Sequence, residues 1–356
     1  MDCKIIKTGS ISSPVENFSY NAWPSVITLD NGDIFCAYSG LRAWHICPFG
    51  KVVASRSTDG GYTWSEPQVI INTPLDDRDA GLTQLNGDVY LTSFNNSRAQ
   101  QRIYAKNCKF NDETIARNEK EMAKISDSDE LRYLGSTISK STDGGLTFSD
   151  PVVIPITAPH GAVKLSDGTL MLFGRAFRDT AKASFEYLPE GIYAMRIHPD
   201  LTVDEPYLVV PDVEGMLQCE PHAIDLGDKI LLGFRVEDKK GLFTIYHSYS
   251  YDGGKTFSTP VPTGYDGSPP HYFKHSSGAV VLSYCRRRAP FPTVARVSYD
   301  NGVTFGEEIM VTPSSLSADL GYPASTENAN GEMVTVHYQR TDDNKGTFIK
   351  YTIWRL

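Results

Sequence analysis

His160, His222 and His271 stand in the words "PHGAVKLSDGTL", "EPHAIDLGDKIL" and "PHYFKHSSGAVV", each just ahead of a short apolar run. An imidazole titrates near neutral pH, so three of them at one place in a recurring word can transfer protons, bond ligand hydroxyls or, with converging geometry, ligate a metal. Hydroxyl binding ranks first, because nothing in the spacing fixes a ligand geometry. Two other stretches concentrate charge: "LDDRDAG", where Asp77 and Asp79 flank Arg78, and "CRRRAP", which carries Arg286, Arg287 and Arg288. A planar guanidinium gives two parallel bonds to a carboxylate, so arginines converging on one point make a clamp for an acidic ligand. The structural alternative is that such side chains are solvated or pair with neighbours such as Glu237 and Asp238.

Repeats must bring these residues together. "SRSTDGGYTWSEP", "SKSTDGGLTFSDP", "SYSYDGGKTFSTP" and "RVSYDNGVTFGEE" share the pattern Ser-x-Asp-x-Gly-x-Thr-aromatic, with Asp59, Asp143, Asp252 and Asp300 at the acidic position. A short Asp side chain accepts N–H bonds inside its own turn and Gly supplies positive φ, so these aspartates are structural. Trp64, Phe148, Phe257 and Phe305 then enter the core as the next strand begins. A second word, a short apolar strand ending in a Gly or Asp turn, occurs six times from "WPSVITLDNGDIFCAYSG" to "YPASTENANGEMVTVHYQR". Its alternation is that of strands. Repetition at roughly 50 residues predicts an all-β fold, a six-bladed β-propeller of four-stranded antiparallel blades, in a single domain over 1–356. "FIKYTIWRL" and "CKIIKTG" would close the ring, "YAMRIHPDLTVDEPYLV" replaces the Asp turn of blade three, and "NDETIARNEKEMAKI" predicts a helical insertion near 111–127.

The chain has 356 residues, 40% of them hydrophobic and 22% charged, enough for a sizeable core. Its formal net charge of -9 argues against nucleic acid or an anionic membrane as partner, which would need a basic face. No run has the length of a signal peptide or a bilayer span, so the expected location is cytoplasmic, or secreted if a leader has been removed. Cys3, Cys36, Cys47, Cys108, Cys219 and Cys285 stand singly, as free thiols rather than a zinc site or disulfide framework. The sequence does not set the oligomeric state.

With its six repeated words and four Asp turns the chain resembles the sialidase superfamily, six-bladed propellers with Asp-box (BNR) repeats. In that pattern a tyrosine nucleophile pairs with a glutamate, an aspartate serves as acid/base and three arginines grip the substrate carboxylate. "DLGYPAS" places Tyr322 at the tyrosine, and "QCEPHA" places Glu220 at the glutamate. The pairing is chemically sound: a phenol titrates near 10 and needs a carboxylate base, and it approaches an anionic sugar without repulsion. Arg235 in "LLGFRVE" matches the second arginine, one of the "RRR" run the third, and Arg42 in "SGLRAW" a further arginine of blade one. Two positions depart. Aligned on Pro24, the first arginine is Ala22 with Trp23 beside it, and the loop "AWHICPFGKVVA" offers His45 where the acid/base aspartate should lie.

The resemblance, with those departures, implies an exo-acting glycoside hydrolase removing a terminal acidic sugar from a glycan. Tyr322 attacks with Glu220 as base. Asp79 or Asp77, with His45 as a further candidate, protonates the leaving oxygen. Arg42, Arg78, Arg235 and Arg288 hold the acid group and ring, Trp23 walls the sugar, and His45, His160, His222 and His271 contact it. No metal or other cofactor is required. Two alternatives remain open at this point: a lyase that removes the proton beside a uronate carboxylate using Tyr322 with His160 or His222, and a carbohydrate-binding propeller without catalysis.

Overall fold

The computed structural model describes residues 4–12, 14–179, 181, 188–343 and 345–356. Strands dominate because the repeated words alternate apolar and polar residues, and they assemble into six antiparallel sheets arranged as blades. In blade 1 the order outward from the axis is Tyr20–Thr28, Ile34–Arg42, Lys51–Ser57 and Gln68–Ile71. Blade 2 has Arg78–Leu85, Asp88–Phe94, Ser136–Ser141 and Val152–Ile154. In blade 4 they are Met216–Asp225, Ile230–Asp238, Phe243–Ser250 and Val261–Asp266, and in blade 5 His271–Lys274, Val280–Cys285, Thr293–Ser298 and Ile309–Thr312. Blade 6 closes the ring across the termini, as the first and last words of the sequence predict. Gly321–Glu327, Met333–Arg340 and Thr347–Arg355 are joined at the rim by Lys4–Ser10.

Blade 3 departs at the axis. Its innermost strand is split into Ile156–Thr157 and Val163–Lys164, both paired with Leu170–Ala176, and Gly191–Ile197 and Tyr207–Pro211 follow outward. His160 and Gly161 lie in the break. A Cβ on Gly161 would sit 2.6 Å from the Leu82 carbonyl oxygen, so blades 2 and 3 meet backbone to backbone there and only glycine fits.

The cores lie between blades. Ile34, Tyr38 and Val53 of blade 1 pack on Val334, Val336 and Tyr351 of blade 6, and the other interfaces repeat this. The four Asp turns have one geometry. Asp59 accepts from the Ser57 hydroxyl at 2.8 Å and from the Thr63 amide and hydroxyl at 2.8 and 2.6 Å, and Asp143, Asp252 and Asp300 bind the matching residues. The aromatic that follows each turn packs into the interface with the preceding blade: Trp64 against blade 6, Phe148 against blade 1, Phe257 against blade 3 and Phe305 against blade 4.

The insertion of blade 2 is larger than the single helix read near 111–127. It comprises α1 (Arg98–Asn107), α2 (Asp112–Met122) and α3 (Asp127–Tyr133), capped by Ser97, Asn111 and Ser126. The Ser126–Asp129 capping box was legible in "SDSDELRY". Met122, Ile125 and Leu134 form a small core with Leu75 and Phe177. Arg117 of α2 stacks on Phe49 and Phe18, fastening the insertion to the first blade. Cys36, Cys47, Cys108, Cys219 and Cys285 are free thiols; Cys3 lies outside the described residues.

Candidate active site

Four innermost strands carry the same local distortion. Trp23, Asp79, Glu220 and Tyr322 each have positive φ, from 51° to 56°, and each lies where the register with the second strand slips. Left-handed backbone costs a side chain about 1 kcal/mol or more, so four occurrences at one place in the blade mark a built feature. Each bulge turns its side chain toward one mouth of the ring. The words "WPS", "DAG", "EPH" and "YPA" carry this equivalence in the sequence.

Tyr322 and Glu220, taken from blades 6 and 4, meet in that mouth. The Tyr322 hydroxyl donates to Glu220 Oε1 at 2.5 Å, and Arg235 Nη1 donates to Glu220 Oε2 at 2.9 Å. Arg235 is fixed further by Glu237 at 2.7 Å and by the face of Phe243. Tyr322 is 8% exposed, and burial followed by the Glu220 charge holds its phenol well above the usual value. The hydroxyl is therefore neutral at rest, with a carboxylate placed to take its proton.

Of the three consecutive arginines, Arg287 faces the site. Its guanidinium lies 5.9 Å from the Tyr322 ring and 5.5 Å from that of Phe243, and no carboxylate among the described residues is within ion-pair distance. Arg288, the residue the sequence reading chose, points outward: its side chain is 66% exposed, bonding the Gly241 carbonyl and approaching Asp266. Arg286 pairs with Glu308. The chain leaves its strand at Cys285, so strand alternation does not decide which of the three turns inward.

Blade 2 brings Asp79 to the same mouth. Its amide is held by the Ser39 hydroxyl at 2.8 Å, while its carboxylate has, among the described residues, only Arg78 Nε within ion-pair distance, at 3.8 Å. Burial, opposed by Arg78 and reinforced by the Glu220 charge, pushes the Asp79 carboxyl up to about 6. Asp77 is engaged elsewhere. Its two oxygens accept from the Thr73 amide and hydroxyl, both at 2.6 Å, so its buried carboxylate ties down the turn that starts the blade.

Arg42 does not reach the mouth either. It is fully buried against Asp76 at 2.6 Å and donates to the Asp77 and His45 carbonyls, which makes it the fastener of the His45 loop. Arg78 lies over Trp23, its guanidinium carbon 4.1 Å from the ring centroid, with Phe94 at 4.9 Å. Trp23 occupies the place beside Ala22 where an arginine was expected, and it is buried beneath Arg78 and His45. His45 is driven down to about 2 by burial and by Arg78, Arg42 and Arg287, so it cannot serve as a protonated acid. It joins a chain of bonds: Arg78 to His45 Nε2 at 3.4 Å, His45 Nδ1 to the Tyr20 oxygen at 3.2 Å, and the Tyr20 hydroxyl to Asp319 at 2.9 Å.

The three histidines meet on the axis, His160 from the break of blade 3 and His222 two residues beyond Glu220 on its strand. His222 and His271 stack with centroids 4.4 Å apart, and His160 lies edge-on to both at 5.2 and 5.1 Å. His222 Nδ1 accepts the Tyr272 amide at 2.9 Å and His271 Nδ1 the Ser325 amide at 3.3 Å. Each of these neutral rings then carries its proton on Nε2 and offers no lone pair to a metal. His160 is 2% exposed with both nitrogens unpartnered. Burial pushes it down to about 4. His222 and His271 border a cavity of about 650 Å³ that also touches Thr28, Gln84 and Thr326, toward the far ends of the innermost strands.

Sequence reading missed Tyr20, Tyr338 and Asp319. Tyr338 packs 6.1 Å from Tyr322 and donates to Asp319 at 3.1 Å, and Arg340 pairs with the other Asp319 oxygen at 3.0 Å. The available signal was position: Tyr20 and Asp319 each stand three residues ahead of a bulge residue, Trp23 and Tyr322.

No protein-family model matches the chain, and no curated protein matches it in sequence. Solved structures do. A protein of unknown function from Dyadobacter fermentans superposes with a TM-score of 0.78 at 20% identity over 99% of both chains. The Hadza microbial sialidase Hz136 gives 0.66 at 15% identity, over 96% of this chain and 66% of that one. The intramolecular trans-sialidase from Ruminococcus gnavus, solved with oseltamivir carboxylate, gives 0.63 at 13% identity over 99% and 97%. The fold is thus the six-bladed propeller found in sialidases.

Proposed function

We propose that the protein is an exo-acting glycoside hydrolase of the sialidase type that releases a terminal acidic sugar from a glycan. The observation that carries this reading is the 2.5 Å bond from the Tyr322 hydroxyl to Glu220, flanked by Arg235 and by an Arg287 without a carboxylate partner among the described residues. The sugar carboxylate binds at Arg287 and Arg235, which sets the anomeric carbon against the phenol. The Tyr322 oxygen bonds to that carbon as the bond to the leaving oxygen breaks. The phenolic proton passes to Glu220, and Asp79, protonated below about pH 6, supplies the proton for the leaving group. Water then attacks the glycosyl-tyrosine, returning one proton to Asp79, while Glu220 gives its proton back to the phenol oxygen. Arg78 walls the sugar, and Trp23, buried beneath it, supports that wall rather than forming it as the sequence reading expected.

The elimination reading fits less well. Its base would have to be an ionised phenol or a free imidazole, whereas burial and Glu220 raise Tyr322, a backbone amide occupies His222 Nδ1, and His160, though its nitrogens are unpartnered, is 2% exposed and packed edge-on against His222 and His271.

Hydrolysis of aryl glycosides of sialic acid and of uronic acids tests the proposal, with Tyr322→Phe and Glu220→Gln beside the wild type. Release by the wild type should fall by about 1000-fold or more in the tyrosine variant and about 100-fold in the glutamine variant. Unsaturated product absorbing in the near ultraviolet, or saturable sugar binding with no product, would refute hydrolysis in favour of a lyase or a binding propeller.

A further inference from the structure

The axial cavity of about 650 Å³ lies at the far ends of the innermost strands, away from the Tyr322 mouth, and all six blades reach it at one equivalent place. Thr28, Gln84, Lys164, Asp225, Lys274 and Glu327 line it, each standing immediately ahead of the turn to the second strand of its blade. In five of the six the next residue donates its amide across that turn: Leu29 to the Asp33 carbonyl, Leu165 to Thr169, Leu226 to Lys229, His275 to Ala279 and Asn328 to Glu332. Charge in this ring alternates from blade 3 to blade 6, so each lysine has a carboxylate on a neighbouring blade. The carboxylates are engaged elsewhere. Asp225 accepts the Ser166 amide of blade 3 at 2.6 Å and the Gly227 amide at 2.8 Å. Glu327 accepts the amide and hydroxyl of Ser276, in blade 5, at 2.7 and 2.5 Å, and lies 3.3 Å from His275 Nε2. Each acid thus clips the turn of the preceding blade, and Lys164 and Lys274 have no carboxylate within ion-pair distance among the described residues.

Two further donors border the cavity. His222 and His271 accept backbone amides at Nδ1, which puts each ring proton on Nε2, and neither Nε2–H has a partner among the described residues. His271 is 8% exposed, so a donor on a nine-tenths buried side chain lacks a protein acceptor, a cost that an oxygen of a ligand would remove. Lys164, His222, His271 and Lys274 belong to the consecutive blades 3, 4 and 5, whereas the remaining carboxylate of the lining, Asp30, is exposed on blade 1 across the ring. Cations without partners, neutral N–H donors and carboxylates already hydrogen-bonded suit an oxyanion. We infer that this end of the axial channel binds a phosphate or sulfate group, with the two ammoniums supplying charge and the two imidazoles bonding its oxygens. A cavity of about 650 Å³ exceeds a bare ion and leaves room for the organic part of an ester. The assignment is independent of the chemistry at Tyr322.

The test is calorimetric titration with inorganic phosphate, inorganic sulfate and a hexose phosphate at low ionic strength, in the Arg287→Ala background so that the arginine clamp at the other mouth does not contribute. One equivalent should bind, and Lys164→Gln and Lys274→Gln should each weaken binding by about tenfold, the value of one charge-assisted bond. Lys120→Gln, on the exposed face of α2, should leave it unchanged. The imidazole N–H resonances of His222 and His271 should shift as the site fills. Tighter binding of the hexose phosphate assigns the site to a phosphorylated metabolite, and equal affinity assigns it to the free ion. No binding of any of the three, unchanged affinity in both lysine variants, an equal loss in Lys120→Gln, or imidazole resonances that stay in place at saturation overturns the inference.

Discussion

In the proposed hydrolase Tyr322 and Glu220 form the reacting pair, and the residue that would set the working pH is Asp79. A general acid must be protonated, and burial keeps Asp79 so up to about pH 6. Activity on a poor leaving group is therefore expected to decline as pH rises above about 6, and Asp79→Asn should remove that alkaline limb together with about 100-fold in rate. A fluoride leaving group needs no proton, so the same variant should keep most of its rate on a glycosyl fluoride. Asp77→Asn, by contrast, should lower the melting temperature, because both Asp77 oxygens hold Thr73. The arginines divide in the same way. Arg287→Ala should cost about 10-fold to 100-fold in kcat/KM on an acidic sugar, the value of one or two charge-assisted bonds, while Arg288→Ala leaves it unchanged. Steady-state kinetics on the two variants separates these outcomes.

At the scale of elements, the Asp turn fixes four of the six blades and the bulge aims four side chains at the mouth. The Asp252 carboxyl is drawn down to about 2 by the hydroxyl and amide of Thr256 and the hydroxyl of Ser250. A depressed carboxyl contributes stability above its unfolded value near 4, and that contribution is lost as pH falls through about 2. Asp252→Ala should lower the melting temperature by a few degrees at pH 7 with unchanged activity, and the deficit should shrink toward pH 2 in thermal melts. The bulges were not legible as bulges. "WPS", "EPH" and "YPA" read as strand starts, since a proline there fits the edge of an innermost strand facing the channel, and only the observed φ values show that all four side chains turn to one mouth.

The ring as a whole places three imidazoles from three blades in contact, which no single blade could do. Burial holds His160 at about 4 and His222 and His271 well below their usual value, so the unfolded chain binds protons that the folded one refuses. Stability contributed by this neutral cluster is complete above about pH 6.5 and falls as pH drops toward 4. Relative to His160→Leu, the wild type should lose up to about 3 kcal/mol over that interval, read as the difference between the two proteins in urea unfolding at pH 7 and pH 4. Taking the difference cancels Asp77 and Asp79, whose raised values act in the opposite direction.

Local chemistry and periodicity were enough for the six blades, the ring closure by the N-terminal strand and the structural role of the four turn aspartates, because each depends on a short stretch repeated at regular spacing. The pairing of Tyr322 with Glu220 was legible through resemblance, since both sit at the same place in their repeats. Which arginine of "RRR" turns inward, whether Arg42 binds substrate or Asp76, and whether Asp77 or Asp79 keeps an unbonded carboxylate depended on side-chain direction at strand ends. There no alternation applies, and a partner can stand far off in the chain, as Asp76 does from Arg42. Repeats fix where a residue stands within its blade; only closing the ring decides which charges end up facing one another and which are already satisfied.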